Sequence, residues 1–385
     1  MNQVRLGVIG CGGMFRYHAK YFASIPELRF TAGCDIEPTA LKFAVDTYGV
    51  EGFTDGHALL ESGLVDAVLI ATPHYFHPVF ATAALKRGIH VLSEKPVAVT
   101  AQAAAEVNRV HAQYPKALYA VMFNQRTYPA WRKVKELIDA GTIGDLVRLN
   151  WVVTSWYRPQ AYYNSGGWRA TWAGEGGGVL INQCPHNLDL LQWFTGLPKR
   201  VTAVVGVAKH HRMETEDEVT AILEYASGAT GVFITSTGEA PGTNRLEIAG
   251  TKGKLVTEGG ATVTLHTNST PTPEFTRTAT SGFTRPECIK TVLEVDGDRP
   301  DHQAVTRNFI DAILNGTPLL APGEEGIKSL ELSNAMLMSG LTGKPVDLPT
   351  DHAAYDALIR SLAAQSTFRK EDVKPLAPTT AWTTH

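Results

Sequence analysis

VRLGVIGCGGMFRYH, Val4 to His18, runs from a short apolar stretch through a glycine-rich turn into a helix-like segment. Val4, Leu6, Val8 and Ile9 read as a buried strand. A strand, a Gly10-Cys11-Gly12 turn and a helix in that order form the layout of a dinucleotide site. Gly10 allows the tight turn and Gly12 lets the backbone approach a pyrophosphate. The N–H groups and dipole at the start of the helix then favour the phosphate charge. Taken by itself, the triplet fits a glycine-rich turn without a ligand equally well. The third glycine of the fingerprint is absent, and Phe15 stands in its place. Gly13 absorbs part of that change. Either the helix is displaced, or Phe15 fills space beside the cofactor.

The chain has 385 residues, room for about two domains. At 44% hydrophobic and 19% charged residues, it has the composition of a globular protein with a substantial core. A net charge of −3 gives no electrostatic reason to expect nucleic acid or an acidic membrane surface as a partner. No apolar run is long enough to span a bilayer. Strand pattern begins by residue 4, which leaves no basic, apolar leader. Cys11, Cys34, Cys184 and Cys288 are scattered without a CxxC pair. The expectation is a reduced, cytoplasmic protein with neither disulfides nor a metal site.

A second strand is expected over 28–34, ending at Asp35. Asp35 lies 25 residues after Gly10, close to the offset of the acid that binds adenosine ribose hydroxyls. A carboxylate there favours NAD, because it repels the 2′-phosphate of NADP. Ile36 follows, with no basic residue to welcome that phosphate. A helix over 39–48 and a buried strand over 66–71 come next. The strand ends in Thr72-Pro73-His74-Tyr-Phe-His77, a loop that should border the cofactor, since ligands of open parallel sheets sit at the carboxyl ends of strands. His74 and His77 read as helix-capping or cleft-lining side chains ahead of any catalytic role. A helix over 79–87 and a strand over 90–93 lead to Glu94-Lys95-Pro96. An ammonium at a strand end can hydrogen-bond a reacting oxygen and help move its proton. A surface ion pair between Glu94 and Lys95 is the plainer alternative. Pro96 admits an unusual peptide geometry.

The Gly10-Cys-Gly12 turn with His18 downstream, the Thr72-Pro73…His77 loop and Glu94-Lys95-Pro96 together resemble the Gfo/Idh/MocA oxidoreductases. The resemblance continues over nearly the whole chain. It implies NAD as cofactor, contacted by Gly10, Gly12, Gly13 and Met14 at the turn and by Asp35 and Ile36 at the ribose. Thr72, Pro73, His74 and His77 would add contacts from the loop. Glu94, Lys95, Asn124 and Arg169 complete the cofactor set that the resemblance implies.

A strand over 118–123 should close the first domain at Asn124-Gln125-Arg126. A helix over 130–140 opens the second. After a strand over 146–156 comes an aromatic segment, Trp156 to Trp172, whose ring faces and arginines suit a sugar ring. An interface or core-covering loop is the alternative. Tyr157, Tyr163, Trp168 and Arg126 are the candidates for substrate contact, with Asn182. Gly176-Gly-Gly178 precedes a helix on which Asn182 and His186, four residues apart, should share one face. His186 is the natural proton acceptor, its ordinary pKa being near neutrality. The family pattern here is Asp-x-x-x-His. The resemblance therefore makes His186 the catalytic histidine and Lys95 the catalytic lysine. Asn182 departs from the common Asp, which rules out a charge-assisted pair with His186. Alternation from 199 to 265 reads as an antiparallel meander, and 267–286 as an irregular excursion. Helices follow over 303–314, 323–341 and 352–364, and an extended Pro- and Thr-rich tail from 370.

The fold expected is α/β: a Rossmann domain over 1–124, an α/β domain over 125–369 with a large, mostly antiparallel open sheet, and a tail over 370–385. The expected activity is NAD-dependent oxidation of a secondary hydroxyl on a sugar, sugar derivative or cyclic polyol. Two other readings stay open: a glycoside-cleaving enzyme that recycles its NAD, and a non-catalytic sugar or nucleotide sensor. The family implies a homodimer or homotetramer formed through the second sheet.

Overall fold

The computed structural model describes residues 2–295, 297, 299–370 and 373. Most of the expected tail lies outside the described residues. The chain divides into two compact units. The first holds Met1–Thr127, Gly174–Gly176 and Pro300–Leu330. The second holds Tyr128–Ala173, Gly177–Arg299 and the described residues from Glu331 on.

The first unit carries a six-stranded sheet: β1 (Val4–Ile9), β2 (Leu28–Cys34), β3 (Glu51–Phe53), β4 (Ala67–Ile70), β5 (His90–Ser93) and β6 (Tyr119–Val121). Every pairing is parallel, in the order β3-β2-β1-β4-β5-β6. This is the doubly wound order whose direction of growth reverses between β1 and β4. All of β4 is buried, and so are Val4, Leu6, Val8 and Ile9, as a sheet covered on both faces requires. β3 escaped the sequence reading because its three residues carry no apolar run.

Phe15 corrects an expectation. The helix Gly13–Phe22 turns its ring inward, fully buried, with centroids 5.5 Å from Phe30 and 5.7 Å from Tyr48. It is a core residue and fills no space beside a cofactor. The domain boundary also departs from a single cut near 125. Pro300–Leu330 returns to the first unit, where Val305, Phe309 and Ile310 of the helix Asp301–Asn315 join the core of Val4, Leu6, Val8 and Phe22.

The second unit is built on a nine-stranded sheet: β7 (Leu146–Val153), β8 (Arg200–Val207), β9 (Glu216–Glu224), β10 (Thr230–Ser236), β11 (Asn244–Gly250), β12 (Gly253–Glu258), β13 (Thr262–Asn268), β14 (Cys288–Leu293) and β15 (Val346–Asp347). Its order is β14-β13-β12-β11-β7-β10-β9-β8-β15. The expected meander is interrupted, because β7 inserts between β10 and β11 and runs parallel to β10. The remaining pairs are antiparallel. Ala221, Phe233, Trp151 and Leu246 stand in one cross-strand row and are all buried. Side chains of one row share a face, so this row marks the covered side of the sheet. The segment over 267–286 is not wholly irregular: it contains the helix Thr272–Thr278. Among the described residues no helix is long and apolar enough to cross a membrane.

Candidate active site

In the first unit the β1 turn packs tightly against the end of β4. Gly10 has φ +99°, and a Cβ there would lie 2.6 Å from the carbonyl of Ala71. Only glycine fits both demands. Gly12 and Gly13 face open space: a Cβ on either would meet nothing within 4 Å. No side chain caps the helix that starts at Gly13. Its first N–H groups are thus presented by small residues, with Met14 half-buried behind them. The Asp35 carboxylate is anchored by Cys11 N–H (2.7 Å) and Glu37 N–H (2.9 Å), which fixes it beside the turn. Ile36 is 88% exposed. At the end of β4, Thr72 and Pro73 are half-buried, and the Thr72 hydroxyl is buried with no hydrogen-bond partner among the described residues.

Both loop histidines are buried. His74 places Nδ1 3.3 Å from Glu175 O. His77 reaches Pro96 O with Nδ1 (2.6 Å) and Thr72 O with Nε2 (2.7 Å), and burial holds it below its ordinary pKa. It therefore ties the Thr72 loop to the turn after β5. That turn contains a cis Lys95–Pro96 peptide.

Glu94 is not a surface partner of Lys95. Its side chain is buried, with Oε1 2.6 Å from His18 Nε2 and Oε2 accepting Lys95 N–H at 3.1 Å. Burial pushes this carboxyl up, but the His18 hydrogen bond and the surrounding positive charge outweigh it and bring it down to about 2. Burial lowers His18 from its ordinary value, with the Glu94 hydrogen bond working against it. His18 Nδ1 meets the Tyr21 hydroxyl, which contacts Thr306 Oγ1 at 3.3 Å. His18, Glu94 and His302 each offer an atom within 4.8 Å of the others. The 2.6 Å between the first two is a hydrogen-bond distance, shorter than the ~3 Å that separates neighbouring ligands of one cation.

Two residues near the end of β6 serve this unit differently from expectation. Asn124, expected at the cofactor, is buried and donates from Nδ2 to Asp301 Oδ1. Asp301 has φ +53° and also accepts from Tyr17 (2.5 Å). Arg126, expected at the substrate, is 3% exposed and pairs with Glu325 at 2.6 Å. Its guanidinium holds the returning segment.

In the second unit the last glycine of the triplet has a steric cause. A Cβ on Gly178 would lie 1.9 Å from Glu216 O. The buried Glu216 carboxylate accepts Gly178 N–H (2.8 Å) and Leu180 N–H (3.0 Å), capping the short helix Val179–Asn182. That helix stops there, and Pro185 starts a second one, Pro185–Thr195. Proline has no N–H to continue the first helix and clashes with its last turn. Asn182 and His186 therefore do not share the face of one helix, which corrects the spacing argument. Asn182 is half-buried at the end of the first helix, and His186 is buried in the first turn of the second.

The aromatic segment sorts its members. Tyr157 and Trp168 are exposed and half-buried, respectively. Tyr163, expected at the substrate, is a core residue. It is 2% exposed, its hydroxyl lies 2.6 Å from Thr237 Oγ1, and its ring packs 4.6 Å from His211. Its neighbour Tyr162, which the sequence reading passed over, bonds to Asn182 Oδ1 at 3.1 Å and to Arg169 Nη1 at 2.6 Å. Nothing in the run of three aromatic and polar residues distinguishes adjacent tyrosines. The five-residue helix Gln160–Asn164 sets which one faces inward.

These features find counterparts in known proteins. The family model for the oxidoreductase family, NAD-binding Rossmann fold, matches residues 4–122, and that for the GFO/IDH/MocA C-terminal domain matches residues 131–256. The chain belongs to the GFO/IDH/MocA family of NAD-binding oxidoreductases. It is 26% identical over 341 residues to the inositol 2-dehydrogenase of Rhizobium meliloti (strain 1021), covering 87% of this chain and 96% of that one. The WlbA dehydrogenase from Bordetella pertussis, solved in complex with NADH and UDP-GlcNAcA, superposes with a TM-score of 0.76 at 27% identity, over 91% of this chain and 100% of that one. Levoglucosan dehydrogenase in complex with NADH and L-sorbose shares the fold with a TM-score of 0.76 at 20% identity, over the same shares of the two chains. NAD is accordingly the cofactor, and the first unit fits it. The open glycines, the uncapped helix start, the anchored Asp35 and the unsatisfied Thr72 hydroxyl all suit a dinucleotide.

Proposed function

We propose that this protein oxidises a secondary hydroxyl of a sugar, sugar derivative or cyclic polyol to a ketone. The observation that carries the reading is the anchored Glu94-Lys95 turn. It stands at the carboxyl end of β5, in the same parallel sheet whose β1 turn fits the dinucleotide. A relative named inositol 2-dehydrogenase and a dehydrogenase solved in complex with NADH and UDP-GlcNAcA support the class of substrate. NAD supplies the hydride acceptor. Lys95 hydrogen-bonds the reacting oxygen and orients it, and His186 accepts the hydroxyl proton. Arg169, Asn182 and the exposed faces of Tyr157 and Trp168 hold cofactor and ring. In the reverse reduction the same groups return the proton. The four free thiols suit a reducing, cytoplasmic setting.

The test is NADH absorbance while the purified protein and NAD meet a panel of pyranoses, anhydrosugars, glycosides and inositols. Sustained production with one compound supports the dehydrogenase. A rise that stops after one turnover points instead to recycled, captive cofactor. With the active compound, Lys95→Ala and His186→Ala should each slow single-turnover reduction of NAD by about 10²-fold or more. Near-normal single-turnover rates in either variant would sink that role.

A further inference from the structure

We propose that the segment 366–370 is a strap that holds the aromatic loop in its ligand-binding shape, with Lys370 as the positioning residue. The proposal rests on the reading of Trp168 and Arg169 as ligand contacts. The helix His352–Gln365 stops at Ser366, whose backbone is extended (φ −61°, ψ 125°). The chain leaving that helix meets the aromatic loop at two points. At the first, one carboxylate links loop and strap: Glu214 accepts Trp172 N–H with Oε1 (2.8 Å) and the Ser366 hydroxyl with Oε2. At the second, the Lys370 ammonium donates to Tyr163 O (2.7 Å) and Gly166 O (2.9 Å), across 207 and 204 residues of sequence.

The loop has little structure of its own to rely on. After the five-residue helix Gln160–Asn164 it forms no helix or strand as far as Trp172. Gly166 (φ +74°) and Ala170 (φ +56°) both lie in the left-handed region, which alanine rarely adopts. Such a bend keeps one shape only where its carbonyls and N–H groups have fixed partners. An ammonium suits carbonyls: it carries three donors and no acceptor, and hydrogen bonds from an ion are stronger than neutral ones. The two carbonyls bound by Lys370 precede Trp168 and Arg169, and Trp172 N–H, held by Glu214, follows them. The strap thus pins the loop on both sides of the two candidate contacts. Arg169 in turn donates to the Tyr162 hydroxyl at 2.6 Å, and that hydroxyl lies 3.1 Å from Asn182 Oδ1. A shift of the loop therefore reaches Asn182 as well.

The experiment compares the wild type with Lys370→Met, Lys370→Arg and Ser366→Ala in the full chain. Methionine keeps an unbranched side chain without the ammonium, and arginine keeps a cation long enough to reach both carbonyls. Hydrogen exchange of the ligand-free protein, followed by mass spectrometry, reads the loop without turnover. Peptides covering 163–172 should exchange about ten-fold faster in Lys370→Met and stay within about three-fold of the wild type in Lys370→Arg, with peptides of the first unit unchanged. With the compound from the panel that yields NADH, Lys370→Met should raise KM about ten-fold, with kcat changed less than about three-fold and the denaturant midpoint unmoved. Ser366→Ala should move exchange and KM the same way by a smaller factor. Wild-type exchange in the loop of Lys370→Met would overturn the strap, and faster exchange with an unchanged KM would overturn the positioning role. A raised KM with a lowered denaturant midpoint, unrescued by arginine, marks general destabilisation and overturns the proposal too. If the wild type produces NADH with no compound, the dehydrogenase reading fails by itself, and the exchange comparison still decides whether the strap holds the loop.

Discussion

At the scale of single residues, Glu94 shows how one buried carboxylate organises the turn that carries Lys95. It is ionised in a dry setting because His18 donates to one oxygen and Lys95 N–H to the other. Removing a partner from such a pair leaves an uncompensated buried group, at a cost of about 3–5 kcal/mol. The pH dependence follows from the signs. Glu94 falls from 4.5 in the unfolded chain to about 2, so its stabilisation is full above pH 4.5 and is lost as the pH drops toward 2. His18 and His77 are held below 6.5 by burial, so the unfolded chain takes up their protons first. Stability therefore declines as the pH falls below 6.5 and declines again below 4.5. Denaturant melts of the wild type from pH 7 to 3 should show both legs. Glu94→Gln should flatten the lower leg relative to the wild type and lower stability at pH 7. An unchanged slope below pH 4.5 would mean that Glu94 does not carry that leg.

At the scale of elements, the stretch from Gly176 to Thr195 is governed by two stops. Glu216, reaching over from β9, caps the first helix through two backbone N–H groups, and Pro185 separates it from the second. A four-residue helix is too short to hold itself, so tertiary contacts set its place. Glu216→Gln keeps the volume but offers one acceptor oxygen in place of two. It should cost ~1–2 kcal/mol by chemical denaturation and raise KM through the loosened Asn182. Wild-type stability and KM in this variant would show that the cap does not position the helix.

At the scale of the whole molecule, the chain supplies the first unit from both sides of the sequence. The helix Asp301–Asn315 covers apolar surface that the strands of residues 4–122 leave on the sheet, and Arg126–Glu325 helps fasten the returning segment. The second sheet buries one face in the Trp151–Phe233 row. Val204 and Ile222, on its other face, are 75% and 51% exposed. The family resemblance leads one to expect self-association through this sheet, and this is the face exposed for it. Val204→Asp combined with Ile222→Asp should lower the mass measured by light scattering without lowering the melting temperature of the fold. An unchanged oligomeric mass would exclude that face.

Local chemistry was enough to determine much of this. The apolar run into Gly10-Cys-Gly12, the carboxylate at Asp35 and the short strands ending at Thr72 and Glu94 mark a doubly wound sheet and its cofactor. Each depends on neighbours a few residues away, where periodicity and glycine geometry speak directly. The tertiary structure decided what depends on distant partners. It buried Phe15, Tyr163 and Arg126, spent Asn124 on Asp301, and slid β7 between β10 and β11. It also chose Tyr162 over its neighbour to hold Asn182. In most of these cases the outcome is fixed by a segment tens to hundreds of residues away. The competition among such segments for one buried surface leaves no trace in local spacing.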